Sequence, residues 1–281
     1  MRPNGLDIAR VRTPIGVLAV IYEARPNMSV EAAALALRSG NALILRGGSD
    51  ALGSALALQE AVDEALAATG PPPACVRTVP TADRAMVGAL LGGLEGTIDL
   101  LIPRGGSSLV ERVQREARVP VLGHLEGMNH SFVHASADPG KAVAVLLDAK
   151  LRRPSVYGAT ETLLLDRAAL HLLKPIAEAL MARGCEMRGD EATRALVPGM
   201  VAARAADWDT EHLAPILNVA LVDGLDGAAA HIRAHGSGHT EAILAEDAAV
   251  AEAFAARVDA AIVMTNASTQ FADGGEFGFG A

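Results

Sequence analysis

Apolar residues run along this chain in short unbroken blocks, separated by longer stretches in which they recur every three or four positions. Residues 16–22 form the first block, rich in branched side chains, and read as a buried strand. Pro26 then biases the chain away from helix. Ser29, with Glu31 in the first turn, predicts a capped helix running to Arg38 before Gly40. Residues 41–45 repeat the strand pattern, and Asp50 is expected to cap a helix over 51–68, stopped by Gly70 and three prolines. A strand at 76–79, a helix at 82–91, a strand at 98–102, a helix after 104–107 and a fifth strand at 119–122 complete a first series. A second begins near residue 124, with helices at 140–151, 168–183, 226–235 and 248–258. Its strands fall at 162–165, 216–222, 241–244 and 261–265, and the irregular stretch 189–210 reads as a connection. Strands that are apolar throughout lie buried on both faces, so the fold class is α/β with a doubly wound parallel sheet. Ligands of such sheets bind beyond the carboxyl ends of the strands, here the segments around Asn27, Arg46 and Arg104.

Composition narrows the picture. A length of 281 residues suggests two domains, and 51% hydrophobic content excludes a disordered chain. The net charge of −9 argues against nucleic acid and anionic membranes as partners. Two cysteines, Cys75 and Cys185, are too few for a disulfide framework or a structural zinc site, and the eight histidines are scattered, so no metal is expected. The first residues lack a secretory apolar stretch and no apolar run is long enough to span a bilayer, which makes the cytoplasm the expected compartment.

Two strand–helix junctions carry glycine pairs: Arg46, Gly47, Gly48 and Ser49, and then Arg104, Gly105, Gly106 and Ser107. Glycines let a backbone approach a phosphate, whose charge the helix N-terminus attracts. They also serve simply to turn a chain, and neither junction matches a nucleotide-binding fingerprint. Asn27 could donate to a developing oxyanion or close an Asx turn.

The blocks GVLAVIYEARPN (16–27), SGNALILRGGS (39–49), IPRGGSSLVERV (102–113), RRPSVYGATETLLL (152–165) and NASTQFADGGEFGFGA (266–281) occur in one order over nearly the whole chain. Together they resemble the glutamate-5-semialdehyde dehydrogenases (gamma-glutamyl phosphate reductases) of proline biosynthesis, within the aldehyde dehydrogenase superfamily. The resemblance implies an NADP(H)-binding Rossmann-like domain over residues 1–123 and an α/β catalytic domain over 124–281. It implies an oxidoreductase in which a cysteine thiolate attacks gamma-glutamyl phosphate, phosphate leaves, and NADPH reduces the thioester to glutamate 5-semialdehyde. By the same resemblance Asn27 holds the oxyanion, and Arg46 with Gly47, Gly48 and Ser49 lies near the adenosine ribose. Arg104, Gly105 and Gly106 lie near the pyrophosphate, and Glu211 holds the nicotinamide ribose. Asn266, Ser268 and Thr269 line the substrate pocket. Glu126 falls near the superfamily's general-base segment, though it reads equally as a surface carboxylate, and His124 and His130 read as turn or packing residues.

The chain departs from that pattern at one decisive position. Where the family has its nucleophilic cysteine this sequence has Tyr157. A phenol keeps its proton at neutral pH far more firmly than a thiol and attacks acyl carbon less readily. Neither Cys75 nor Cys185 falls in the motif. The family also extends beyond both ends of this chain, including an arm that helps form a homodimer, which this chain is expected to form only weakly. The resemblance therefore leaves two readings: a reductase whose activity Tyr157 puts in doubt, or a non-catalytic relative that keeps a nucleotide site and works through a partner.

Overall fold

The structure is a computed structural model that describes residues 9, 11–23, 25–123 and 126–278. It divides into two compact units, Met1–Leu125 and Glu126–Ala281.

The first unit is a parallel sheet of four strands, β1 (Val17–Tyr22), β2 (Ala42–Arg46), β3 (Val76–Thr78) and β4 (Leu100–Arg104), in the order β3-β2-β1-β4. Four helices connect or follow them: α1 (Met28–Arg38), α2 (Leu52–Thr69), α3 (Ala85–Leu91) and α4 (Ser107–Glu116). The side chains of β1 divide as a strand buried on both faces must. Leu18, Val20 and Tyr22 pack with Ala33 and Ala36 of α1 and Leu66 of α2. Ala19 and Ile21 pack with Val87, Leu90 and Leu91 of α3 and Val113 of α4.

Three local expectations change. The segment 119–122 is reduced to a single bridge, Leu101 to Val121, because Pro120 has no N–H with which to continue a ladder. Ser29 is not a cap: α1 starts one residue earlier, and the buried Ser29 hydroxyl lies 2.6 Å from Tyr22 Oη. Asp50 does not cap α2 either, since residues Ser49–Ala51 form a short 3-10 turn that leads into the helix.

The second unit carries seven parallel strands in the order β11-β10-β5-β6-β9-β7-β8. They are β5 (Asn129–Val133), β6 (Thr160–Asp166), β7 (Glu186–Gly189), β8 (Val201–Ala202), β9 (Ile216–Val222), β10 (Thr240–Leu244) and β11 (Ile262–Thr265). Helices α5 (Pro139–Leu151) and α6 (Leu173–Met181) bury Leu146, Ile176 and Leu180 against one face, beside Leu163, Leu165 and Leu217. Helices α8 (Gly224–His235) and α9 (Ala248–Arg257) bury Ile232 and Phe254 against the other, beside Phe132 and Leu164. The stretch 189–210 holds a short helix, α7 (Glu191–Leu196), capped by the Asp190 side chain, together with the edge strand β8.

Candidate active site

In the first unit the sequence-predicted residues cluster around the carboxyl end of β1, but most are engaged by neighbouring protein atoms. Arg46 is buried, and its guanidinium donates to the main-chain oxygens of Gly47 at 2.8 Å and Ala82 at 3.1 Å. A Cβ on Gly47 would stand 2.9 Å from Tyr22 Oη, so this glycine makes room for the tyrosine. Gly48 precedes the 3-10 turn, and the Ser49 hydroxyl donates to Asp50 at 3.2 Å. At the other junction the Gly106 N–H donates to Glu23 Oε2 at 2.8 Å, and a Cβ on Gly105 would come within 2.7 Å of that carboxylate. Arg104 is exposed and lines a largely apolar cavity of about 580 Å³ between α1 and the sheet, with Leu18, Val20, Leu35 and Ile102. Asn27, exposed at the start of α1, gives its amide to Glu31 Oε1 at 2.9 Å.

In the second unit the site residues gather at the amino ends of the strands, in the loops that enter β5, β6, β9 and β10. Asn129, fully buried, donates its amide to the main-chain oxygens of Tyr157 at 2.6 Å and Ala159 at 2.9 Å. Its oxygen accepts the Thr240 N–H at 3.2 Å, so the loop carrying residue 157 is tied through β5 to the start of β10. Gly127 lies against the Tyr157 carbonyl so closely that a Cβ would collide with it, and its N–H donates to Glu211 Oε1 at 3.1 Å. Burial raises the half-buried Glu211 above the usual carboxylate range, and the charge of Glu126 adds to the rise. Tyr157 is 42% exposed, and its ring meets His239 edge-on, with ring centroids 5.2 Å apart. It therefore faces outward from the loop rather than filling the core beneath it.

The expected substrate residues are divided. Asn266, in a left-handed conformation (φ 51°), pairs its amide with both main-chain groups of Ala245 beyond the carboxyl end of β10. Ser268 accepts the Gln270 N–H. Thr269, fully buried, lies 3.0 Å from Thr160 Oγ1 at the amino end of β6, beside Gly158. Only the 268–270 end of this segment therefore reaches the Tyr157 loop.

Neither remaining cysteine sits in that loop. Cys185 is buried in the core beneath α6, and desolvation pushes its thiol up to about 11. Cys75 packs at the edge of the first unit's core. His130 lies in β5 and bonds to Glu241, and His124 lies outside the described residues. Sequence reasoning did not single out Glu23, Gly127, Asn129 or His239. Of these only Glu23 had a signal, since it directly follows β1 where the carboxyl-end rule points.

Comparison with known proteins agrees with this architecture. Residues 2–153 match the aldehyde dehydrogenase family. An acetylating aldehyde dehydrogenase from Geobacillus thermoglucosidasius, 20% identical, has the same fold, with a TM-score of 0.72 over 94% of this chain and 67% of its own. The gamma-glutamyl phosphate reductase of Caulobacter vibrioides is 66% identical over all 281 residues, which span 68% of its length. The crystal structure of gamma-glutamyl phosphate reductase from Thermotoga maritima is 46% identical, with a TM-score of 0.94 over 100% of this chain and 68% of that one. The chain belongs to the aldehyde dehydrogenase family and, within it, to the gamma-glutamyl phosphate reductases. Enzymes of this family use NADP(H). No helix among the described residues is long and apolar enough to cross a membrane.

Proposed function

We propose that this chain is the scaffold of an NADP(H)-dependent gamma-glutamyl phosphate reductase of proline biosynthesis, acting in the cytoplasm, in which Tyr157 stands at the nucleophile position and leaves acyl transfer slow or absent. The observation that carries this reading is the Tyr157 loop. Asn129 and Gly127 hold its backbone in place, Thr160 and Thr269 flank it, and its side chain faces outward. These contacts act on main-chain atoms and on residues flanking 157, so they remain if the side chain is changed. A thiolate at this position would attack the acyl carbon of gamma-glutamyl phosphate and expel phosphate. The phenol that stands there instead is a poorer acyl nucleophile than a thiolate, and its acyl product would be an ester rather than a thioester.

The first unit does not present a ready seat for the cofactor. Tyr22 fills the space at Gly47, Glu23 fills the space at Gly105, and Arg46 is spent on carbonyls.

The test is Tyr157→Cys, assayed beside the parent for phosphate-dependent reduction of NADP by glutamate semialdehyde. The parent is expected to show no turnover above background and the variant to gain it. Turnover by the parent that survives Tyr157→Phe but is abolished by Cys185→Ala would overturn the reading and point to another thiol.

A further inference from the structure

Resting on the reading just given, we infer that Glu23 is a built-in occupant of the crevice at the end of β1, and that a dinucleotide binds this chain only by displacing its carboxylate.

The argument begins with topology. In the order β3-β2-β1-β4 the chain leaves β1 toward α1 on one face of the sheet and leaves β4 toward α4 on the other. Strand ends that diverge in this way open a crevice at the topological switch point, where ligands of doubly wound sheets lie. Glu23 enters this crevice from β1, and Arg104 to Gly106 enter it from β4.

Here the two strand ends are stitched together. The Glu23 N–H donates to the Arg104 main-chain oxygen at 3.0 Å, and Glu23 Oε2 accepts the Gly106 N–H at 2.8 Å. The carboxylate lies flat on the glycine pair, since a Cβ on Gly105 would be 2.7 Å from both its carbon and Oε2. It thus takes both features a diphosphate would use: the approach that glycine permits and an N–H at the positive end of α4. A diphosphate arriving with Glu23 still in place would add negative charge directly against a carboxylate.

The neighbouring groups show which part can move. Tyr22 is buried and its hydroxyl lies 2.6 Å from Ser29, while Arg46 is held by two carbonyls. Glu23 is exposed, and among the described residues only main-chain groups bind it. Arg104, whose main chain pairs with Glu23 and whose exposed side chain lines the adjoining cavity, is in no ion pair among the described residues, so its guanidinium is available to a phosphate once the carboxylate leaves.

The experiment titrates the full chain and its Glu23→Ala and Glu23→Gln variants with NADPH, following nucleotide fluorescence, after thermal melts have established that each variant is folded. Glu23→Ala is expected to bind about tenfold more tightly than the parent, or better, with Glu23→Gln intermediate. The gain should shrink as salt rises from about 0.05 to 0.5 M, as a relieved charge repulsion requires, and should be lost when Arg104→Ala is added. A parent that binds NADPH as tightly as Glu23→Ala, or more tightly, overturns this inference alone. Absence of NADPH binding by parent and variants at millimolar concentration overturns the NADP(H) scaffold as well.

Discussion

Lys150 and Glu161 form an ion pair at 2.8 Å that is almost wholly shielded from water, at the end of α5 and near the start of β6. Burial pushes Glu161 up to about 7 in spite of the ammonium beside it, and pushes Lys150 down for the same reason. Removing one partner strands the other in the interior, whereas removing both lets apolar groups fill the space. Lys150→Met is therefore expected to cost about 3 kcal/mol in urea unfolding, and Lys150→Met/Glu161→Leu to recover most of it. A double variant no more stable than the single one would show that the pair contributes through its charges rather than through mutual compensation. The same desolvation raises Cys185, so the thiol that survives in this unit is the one least able to replace a nucleophile. Its burial was legible in the sequence only as a general habit of cysteine. The Lys150–Glu161 pair was not legible, because residues eleven apart in the chain are brought together only by the turn between α5 and β6.

At the scale of elements, β5 is the strand the sequence hid. Asn129, His130 and Ser131 make three of its five residues polar, yet all five are buried. Each finds a partner in place: Asn129 in the carbonyls of 157 and 159, His130 Nδ1 in Glu241 at 3.0 Å, and Ser131 in Thr160 at 2.8 Å, while among the described residues His130 Nε2 has no hydrogen-bond partner. Hydropathy cannot anticipate such a strand, because partners contributed by other strands satisfy its polar groups. Strands with a smaller polar share, 216–222 and 240–244, fall where the apolar runs place them, within a residue. Polar β5 is also what fixes the Tyr157 loop, and Gly127 just before it leaves that loop no slack. Gly127→Ala is expected to destabilise the chain by about 1–3 kcal/mol through overpacking against the Tyr157 carbonyl. Added to Tyr157→Cys it should also remove the activity gained, because the loop must shift. Unfolding curves and the semialdehyde assay read the two effects separately, and retained activity would mean the loop's position is not critical.

Across the whole molecule, the two units carry their candidate chemistry at opposite ends of their sheets. The carboxyl-end rule pointed to the segments around Asn27, Arg46 and Arg104 in the first unit. The amino-end loops of the second had no comparable sequence signal, and Tyr157 and Glu211 were found through family resemblance alone. Titration adds a property that belongs to the whole chain. His231, wedged between His130, Trp208 and His235, is pushed down to about 4 by desolvation, with the neighbouring histidines adding to the effect. The folded chain thus binds fewer protons there than the unfolded chain, and the stability this histidine supports is lost as pH falls from 6.5 through 4. Glu161 acts in the opposite sense: its folded value of about 7 lies above 4.5, so its contribution is lost as pH rises through that interval. Glu241, raised by burial although His130 beside it pulls the other way, works in the same direction as Glu161. The slopes of His231 and Glu161 oppose each other between 4.5 and 6.5, so these two groups largely offset one another there. His231→Phe keeps a ring in the packing and deletes one slope. Relative to the parent, its stability at acid pH should improve by about 2 kcal/mol once the partial exposure of His231 is discounted. Its melting temperature should then fall steadily as pH rises from 5 to 7, approaching the Glu161 value of about 7. A constant offset between variant and parent over that range would show that His231 is not neutralised by its surroundings.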